Sequence, residues 1–98
     1  MADDNNAQVI TVYLDAAGIP AQFMTRLARR LVTDKLAATS TVYERKDPDS
    51  GVRSLVKLHT QPRHLRTIST RALCVDSVRA YPLECHDDYR AWVLRETA

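Results

Sequence analysis

The 98-residue sequence has few glycines, few cysteines and no long apolar run, and each shortage excludes a class of protein. Gly18 and Gly51 are the only glycines, so no glycine-rich loop is available to bind a phosphate. Cys74 and Cys85 are too few for a disulfide framework, and we expect both to be reduced thiols. No apolar run approaches the ~20 residues that a membrane-spanning helix needs. These shortages favour a small protein without membrane contact.

Charge and composition add little about function. The formal net charge is +2 and 45% of the residues are apolar, which indicates a globular chain and does not by itself indicate a nucleic-acid partner. The polar residues 1–7 resemble neither a signal nor a transit peptide, so the expected location is the cytoplasm. We predict a flexible tail over 1–7 and one domain over 8–98.

Apolar patterning predicts four strands and three helices. Strands are expected over 8–14, 36–45, 52–59 and 77–83, from their β-branched and aromatic residues. Residues 15–18 should end the first strand, and residues 46–51 form the strongest turn signal. Apolar residues that recur every four positions predict a helix over about 19–35, with Pro20 in its first turn. Its apolar side comprises Ile19, Phe23, Met24, Leu27, Ala28, Leu31 and Val32.

Two shorter helices follow the central hairpin. Thr60 is the expected N-cap of the second helix and Pro62 lies in its first turn. Asp87 or Asp88 is the expected N-cap of the last helix. The expected buried stripes are Leu65, Ile68, Ala72 and Leu73 on the second helix, and Tyr89, Trp92 and Val93 on the last.

This order predicts an α+β fold of the split βαβ, or ferredoxin-like, kind. It consists of a four-stranded antiparallel sheet with two helices on one face and an extra C-terminal helix. Only that last helix is available to cover the opposite face. Because a soluble monomer rarely leaves a large apolar face bare, we expect an oligomer.

Four ordered segments resemble the CutA family, which is named for divalent-cation tolerance. Residues 9–13 (VITVY) are similar to the family's first strand, and residues 27–38 (LARRLVTDKLAA) to the helix that leads into a leucine-alanine-alanine-cysteine motif. Val56-Lys57-Leu58, followed by Thr60, resembles a valine-lysine-threonine strand. Residues 79–83 (RAYPL) and 89–92 (YRAW) resemble the family's last strand and closing helix.

The sequence also departs from the family pattern. Thr39 stands where the family has a cysteine that could ligate a soft metal. The central hairpin is shorter, and the segment with histidine, proline and glutamate before the last strand is missing, so that its glutamate would fall near Ser77. Among the polar residues of the family's cleft between subunits, Lys57 alone has a clear counterpart. The resemblance implies a homotrimer whose sheets meet around a threefold axis, with Lys57 as the ligand-binding residue.

A metal site has one candidate segment. Cys85 and His86 could ligate Cu or Zn, and they adjoin Glu84, Asp87 and Asp88. Contiguous side chains in an extended segment point in opposite directions, so a strand end followed by a helix cap is the simpler interpretation. His59 and His64 are more simply surface residues near a helix start. We retain Cys85 and His86 as the metal candidates, with Cu or Zn as the ion.

Other chemistry has weaker support. Cys74 has no suitably spaced histidine and is expected to be a buried structural thiol. No nucleophile–base pair can be assembled, so we expect a protein that is not an enzyme. Arginines on the first two helices could form a basic face for nucleic acid, but the strands offer few aromatic platforms, and a solvated face is favoured. These arginines are Arg26, Arg29, Arg30, Arg63, Arg66 and Arg71.

The leading hypothesis is therefore a CutA-like, non-enzymatic, cytoplasmic homotrimer linked to divalent-cation tolerance or response. Two alternatives remain. One is a regulatory module of the ACT or nitrogen-regulatory PII kind, which shares the topology and binds a small effector between subunits. The other is a nucleic-acid-binding domain that uses the arginine faces.

Overall fold

The computed structural model describes residues 8–49 and 51–98. Its elements follow the predicted order, and a single turn of 3-10 helix at Pro62–His64 precedes the second helix. The tail predicted over 1–7 lies outside the described residues. The strands are β1 (Ile10–Ala17), β2 (Thr39–Asp47), β3 (Gly51–Thr60) and β4 (Ser77–Pro82), and the helices are α1 (Ala21–Thr33), α2 (Leu65–Arg71) and α3 (Asp87–Glu96).

The four strands form one antiparallel sheet in the order β2-β3-β1-β4. β1 is central and pairs with β3 on one side and β4 on the other, while β2 pairs only with β3. Each helix crossover therefore joins two strands that are not neighbours in the sheet, as the split βαβ arrangement requires. The predicted α+β, ferredoxin-like fold is confirmed.

The core lies between the sheet and the first two helices. Alternate residues of the central strands have no exposed surface, and they pack against apolar residues of α1 and α2. Side chains alternate between the two faces of a strand. The even-numbered residues of β1 and β3 are therefore directed into this core, and the odd-numbered residues lie on the opposite face of the sheet. The main members are Val12, Leu14, Val56 and Leu58 from the sheet, and Met24, Ala28, Leu31 and Ile68 from the helices.

β1 extends to Ala17, so the prediction that Asp15 ends the strand is wrong. Pairing with β3 continues to Ala17 opposite Arg53. The Asp15 carboxylate accepts a hydrogen bond from Arg53 Nη1 at 3.2 Å. Cross-strand partners thus hold residues that local propensity would place in a turn. The strand ends at Ala17, and it is followed by Gly18, whose φ of +77° glycine adopts without strain.

α1 begins and ends through contacts that the sequence pattern does not reveal. Pro20 is the N-cap, without a side-chain cap, and the Glu44 carboxylate of β2 accepts the Ala21 N–H instead, at 3.1 Å. At the other end Lys35 has a φ of +63° and the Leu36 N–H donates to Leu31 O, as in a Schellman motif. This closing turn uses residues predicted to begin a strand, so β2 starts at Thr39 and not at residue 36.

The β2–β3 hairpin is longer than predicted. Its pairing reaches Asp47 opposite Gly51, so the strands include residues assigned to the turn of 46–51. The Asp47 carboxylate accepts the Asp49 N–H at 3.1 Å, which forms a local turn after the strand.

Several side-chain expectations are wrong in their details. Phe23 is 52% exposed, although it belongs to the predicted apolar side of α1, and Leu73 is 83% exposed, although it belongs to the predicted buried stripe of α2. Leu73 is exposed because α2 ends at Arg71, so Leu73 does not continue the helical face that buries Ile68. Cys74, expected to be buried, is exposed for the same reason. Trp92 is half-buried.

The expected helix caps are also different. The Thr60 hydroxyl donates to Leu36 O at 2.6 Å, so Thr60 ties β3 to the end of α1 and does not cap α2. His86 occupies the N-cap position of α3 without a side-chain hydrogen bond. Asp87 and Asp88 lie in the first turn, where their charges still favour the positive end of the helix.

Candidate functional site

The sheet face opposite α1 and α2, which we call the open face, contains Lys57, the candidate ligand-binding residue. Val56 and Leu58 are directed into the core, so Leu55, Lys57 and His59 of β3 lie on the open face. The same face contains the residues that pair with them in β1 and β2, and the β4 residues that pair in turn with those of β1. Those residues are Thr11, Tyr13 and Asp15, then Thr39, Thr41 and Tyr43, and then Ser77, Arg79 and Tyr81.

Lys57 lies in the middle row of this face. Its partners are Thr41 of β2 and Tyr13 of β1, and Tyr13 is in turn opposite Arg79. The Arg79 guanidinium lies 5.7 Å from the centre of the Tyr13 ring, and the Tyr81 ring meets Tyr13 edge to face at 6.0 Å. The open face therefore presents cations beside tyrosine rings, an arrangement suited to cation–π contacts.

A pocket of about 450 Å³ opens at the hairpin end of this face. Charges of both signs line it, and the Asp15–Arg53 ion pair, at 3.2 Å, lies in its wall. Lys57 is not among its lining residues. Such a pocket suits a small ligand that carries both charges. The lining consists of Asp15, Tyr43, Glu44, Arg45, Asp47, Arg53, Leu55 and Arg79.

α3 contacts the other end of the open face. Tyr89 Oη and His59 Nδ1 are 2.5 Å apart, and the two rings meet edge to face at 5.6 Å. Trp92 lies against Tyr89, with 5.7 Å between the ring centres. Burial lowers the pKa of His59, and the positive charge of Lys57 lowers it further. The neutral imidazole is thus the favoured form beside Lys57.

The C-terminal end of α3 is held by the segment that follows β3. Gln61 Nε2 donates to the hydroxyl and the carbonyl oxygen of Thr97, at 2.9 and 3.1 Å. Arg63 Nη2 and His64 Nε2 also donate to this carbonyl, at 3.1 and 2.6 Å. These donors satisfy an otherwise free carbonyl at the negative end of the helix. They fix α3 against the sheet.

The structure does not assemble a metal site around Cys85 and His86. Both lie in the loop between β4 and α3, where Cys85 is half-buried and His86 is exposed. The nearby Asp87 carboxylate is paired with Arg90 Nη1 at 2.6 Å. Among residues 8–49 and 51–98, no group of three or more His, Cys, Asp or Glu side chains could hold an ion. Within a single chain, the described residues therefore do not fit a Cu or Zn centre.

Sequence reasoning missed two features of possible functional use. The first is the His59–Tyr89 pair, which joins residues 30 positions apart and leaves no local signal. The second is the exposure of Phe23, which the helical spacing placed on the apolar side of α1. Arg26, by contrast, is exposed as expected. Over the described part of the chain, no helix is long and apolar enough to cross a membrane.

No family model and no curated protein sequence matches this chain. Several solved structures, however, are similar to this chain. CutA1 from Oryza sativa is 20% identical with a TM-score of 0.72, and the alignment covers 93% of this chain and 94% of that one. The divalent cation tolerance protein CutA from Archaeoglobus fulgidus, described as periplasmic, is 16% identical with a TM-score of 0.75, over 92% and 99%.

A third similar structure is CutA1 from Pyrococcus horikoshii, at 14% identity and a TM-score of 0.75, with 91% and 98% of the two chains covered. The agreement extends over nearly the whole of each molecule. The resemblance drawn from the sequence motifs is thus confirmed in three dimensions, and this chain has the fold of the CutA proteins.

Proposed function

We propose that the chain is a divergent member of the CutA family and acts, without catalysis, in the tolerance of or response to divalent cations. The observation that carries the proposal is the shared fold over more than 90% of the chain. The Archaeoglobus protein of this fold is described as a divalent cation tolerance protein. The cytoplasm is the location we propose for this chain.

The proposed assembly is a homotrimer in which the open faces meet. Tyr43 and Tyr81 are each 48% exposed on that face, although a folded monomer usually shelters large aromatic rings. Leu55 and Tyr13 lie between them in the sheet and are only half-buried. A second copy that covers these side chains would remove their apolar surface from water, at about 25 cal/mol per Å².

Lys57 is the residue that we propose for ligand binding in a cleft between subunits. It lies at the centre of the open face, with Tyr13 and Thr41 as its strand partners. An ammonium group there would bind an anionic ligand and would repel a free divalent cation. In this proposal the cation response therefore proceeds through an anion or a partner protein and not through direct coordination by Lys57.

The test combines a measurement of the mass in solution with a growth assay. Light scattering should give a mass near three times 11.1 kDa. Expression of the chain in a bacterial strain that is sensitive to divalent cations should restore growth at raised Cu²⁺, and the Lys57→Ala variant should restore less while keeping the same mass. A monomeric mass would contradict the proposed assembly, and no growth difference would contradict the proposed role.

A second candidate function is a regulatory module that binds a small effector, as in ACT or PII domains. The observation that favours it is the 450 Å³ pocket with charges of both signs. Thermal melts with a panel of free amino acids would test it. A rise in Tm with one of them, lost in Arg53→Ala and retained in Arg95→Ala, would favour this function over cation tolerance.

A further inference from the structure

A second concave surface lies on the opposite side of the molecule, on the helices. This arginine groove is open to solvent and has a volume of about 800 Å³. Its lining consists of Phe23, Arg26, Leu27, Arg29, Arg30 and Thr33 of α1, Asp34 at the C-cap of that helix, and Arg71 of α2. α1 and α2 cover the sheet face opposite the open face. An assembly through the open faces would therefore leave the groove accessible, and nothing in the inference depends on that assembly.

The groove is strongly positive. Arg26, Arg29, Arg30 and Arg71 contribute four guanidinium groups, against the single carboxylate of Asp34. Arg30 Nε lies 3.3 Å from the Asp34 carboxylate, and Arg71 Nη1 also donates to it. The Arg71 hydrogen bond is the main cause that lowers the pKa of Asp34, so the carboxylate stays ionised and orients both arginines. The formal charge of the groove is about +3.

Two of the four arginines remain available to bind a ligand. Neither Arg26 nor Arg29 takes part in an ion pair within the described ranges 8–49 and 51–98. The four basic side chains are all arginine, whose planar fork matches two oxygens of a phosphate. An exposed guanidinium without a carboxylate partner keeps its donors free for a ligand.

The groove also contains an aromatic platform. Phe23 is 52% exposed, and the Arg26 guanidinium carbon lies 6.0 Å from its ring centre. Exposed aromatic rings beside arginine are the surface on which bases of single-stranded nucleic acids stack. Phe23 and Arg30 are seven residues apart on one helix, so they are separated by about 10 Å along its axis. A base and its attached phosphate extend over a similar length.

We propose that this groove binds a nucleotide unit, with the base on Phe23 and the phosphate on Arg29 and on the guanidinium N–H groups of Arg30 and Arg71 that do not donate to Asp34. The sequence alone did not favour nucleic acid, because its strands offer few aromatic platforms. The platform lies instead on a helix. A free mononucleotide and a single-stranded nucleic acid share this chemistry, and the experiment separates them.

Fluorescence anisotropy with a labelled thymidine oligonucleotide of about 12 nucleotides tests the proposal, since this length lies within known single-strand site sizes. Phe23→Leu keeps an apolar side chain and removes the ring, so affinity should fall about tenfold with an unchanged salt dependence. Arg29→Ala should lower the affinity and also reduce the slope of log affinity against log salt by about one.

Arg95→Ala is the matched control, because it removes an equal charge from an exposed position on α3. Its affinity should equal that of the unchanged chain. Equal losses in all three variants, or none in Phe23→Leu and Arg29→Ala, would overturn the proposal. So would equally tight binding of polyglutamate, which offers charge without bases.

Competition by adenosine monophosphate identifies the source of the ligand. Displacement of the oligonucleotide by the mononucleotide would identify a free nucleotide as sufficient, and displacement only by a longer unlabelled strand would identify a single-stranded nucleic acid. Circular dichroism and light scattering on each variant would separate loss of the groove from loss of fold or assembly.

Discussion

At the scale of single residues, Glu44 stabilises α1 from a neighbouring strand. Its carboxylate accepts the Ala21 N–H, at the positive end of a helix whose own N-cap is a proline. Glu44→Ala should therefore lower the free energy of unfolding by about 1 kcal/mol, measured by urea denaturation. Glu84→Ala, in an exposed loop, is the control and should change it little. Equal effects of the two substitutions would contradict this role.

His59 gives the protein a predictable dependence on pH. Its pKa is lowered in the folded chain by burial and by Lys57, while the unfolded chain keeps the ordinary value of 6.5. Below about pH 6.5 the unfolded state therefore binds more protons, and the free energy of unfolding should fall as the pH falls through the lowered pKa. Well above pH 6.5 the His59 imidazole is neutral in both the folded and the unfolded state, and its full contribution to the free energy of unfolding is present. The hydrogen bond with Tyr89 is part of the same contact.

The measurement is a series of urea denaturations between about pH 5 and 8 on the unchanged chain and on His59→Gln. The difference between the two series isolates His59 from His64, His86 and the carboxylates. The slope attributable to His59 should stay below the ~1.4 kcal/mol per pH unit that one proton allows, because the ring is only half-buried. Parallel curves would show that His59 titrates alike in both states.

At the scale of elements, the docking of α3 depends on Val93 more than on Trp92. Val93 has no exposed surface, while Trp92 is half-buried against Tyr89. Val93→Ala should lower the free energy of unfolding by about 2 kcal/mol. Leu73→Ala, at an 83% exposed position, should stay within about 0.5 kcal/mol. A large cost at Leu73 would mean that assembly or a partner buries this side chain.

The order and type of the elements could be predicted from the sequence because apolar spacing reports which side of each segment faces a core. Leu31, Ile68 and Val56 lie where that spacing put them. The boundaries could not be predicted, since they depend on partners far along the chain. β1 continues past Asp15 because Arg53 and β3 meet it, and α1 begins at Ala21 because Glu44 reaches it.

At the scale of the whole molecule, the fold was predictable and the sites only in part. Lys57 was named from its motif alone, and it lies on the open face because side chains alternate along β3. The two concave surfaces were not predictable, because each joins residues from separate elements. The pocket at the hairpin end combines β1 with β2, β3 and β4, and the arginine groove joins Arg71 to α1.

Metal binding should be weak. Cys85 and His86 have no third ligand among the described residues, and Thr39 offers a hydroxyl where the family has a thiolate. Calorimetry of the reduced protein with Zn²⁺ should show no stoichiometric site with a Kd below about 1 μM. His86→Ala should leave the titration unchanged. A tight site that this substitution removes would mean that copies of the chain contribute ligands together.

Assembly should depend on the open face and not on the helices. Leu55 lies on that face in β3, half-buried beside exposed Tyr43, its partner in β2. Leu55→Asp would place a charge in the proposed interface, where an unpaired carboxylate is costly to bury, and should lower the mass from near three times 11.1 kDa to that of one chain.

The far-ultraviolet circular dichroism of Leu55→Asp should stay unchanged, because the core residues Val56 and Leu58 point the other way. Arg29→Glu is the matched control, since it also introduces a carboxylate but on the exposed side of α1. Its mass should equal that of the unchanged chain. A trimer that persists in Leu55→Asp and dissociates in Arg29→Glu would show that the interface lies on the helices and includes the arginine groove.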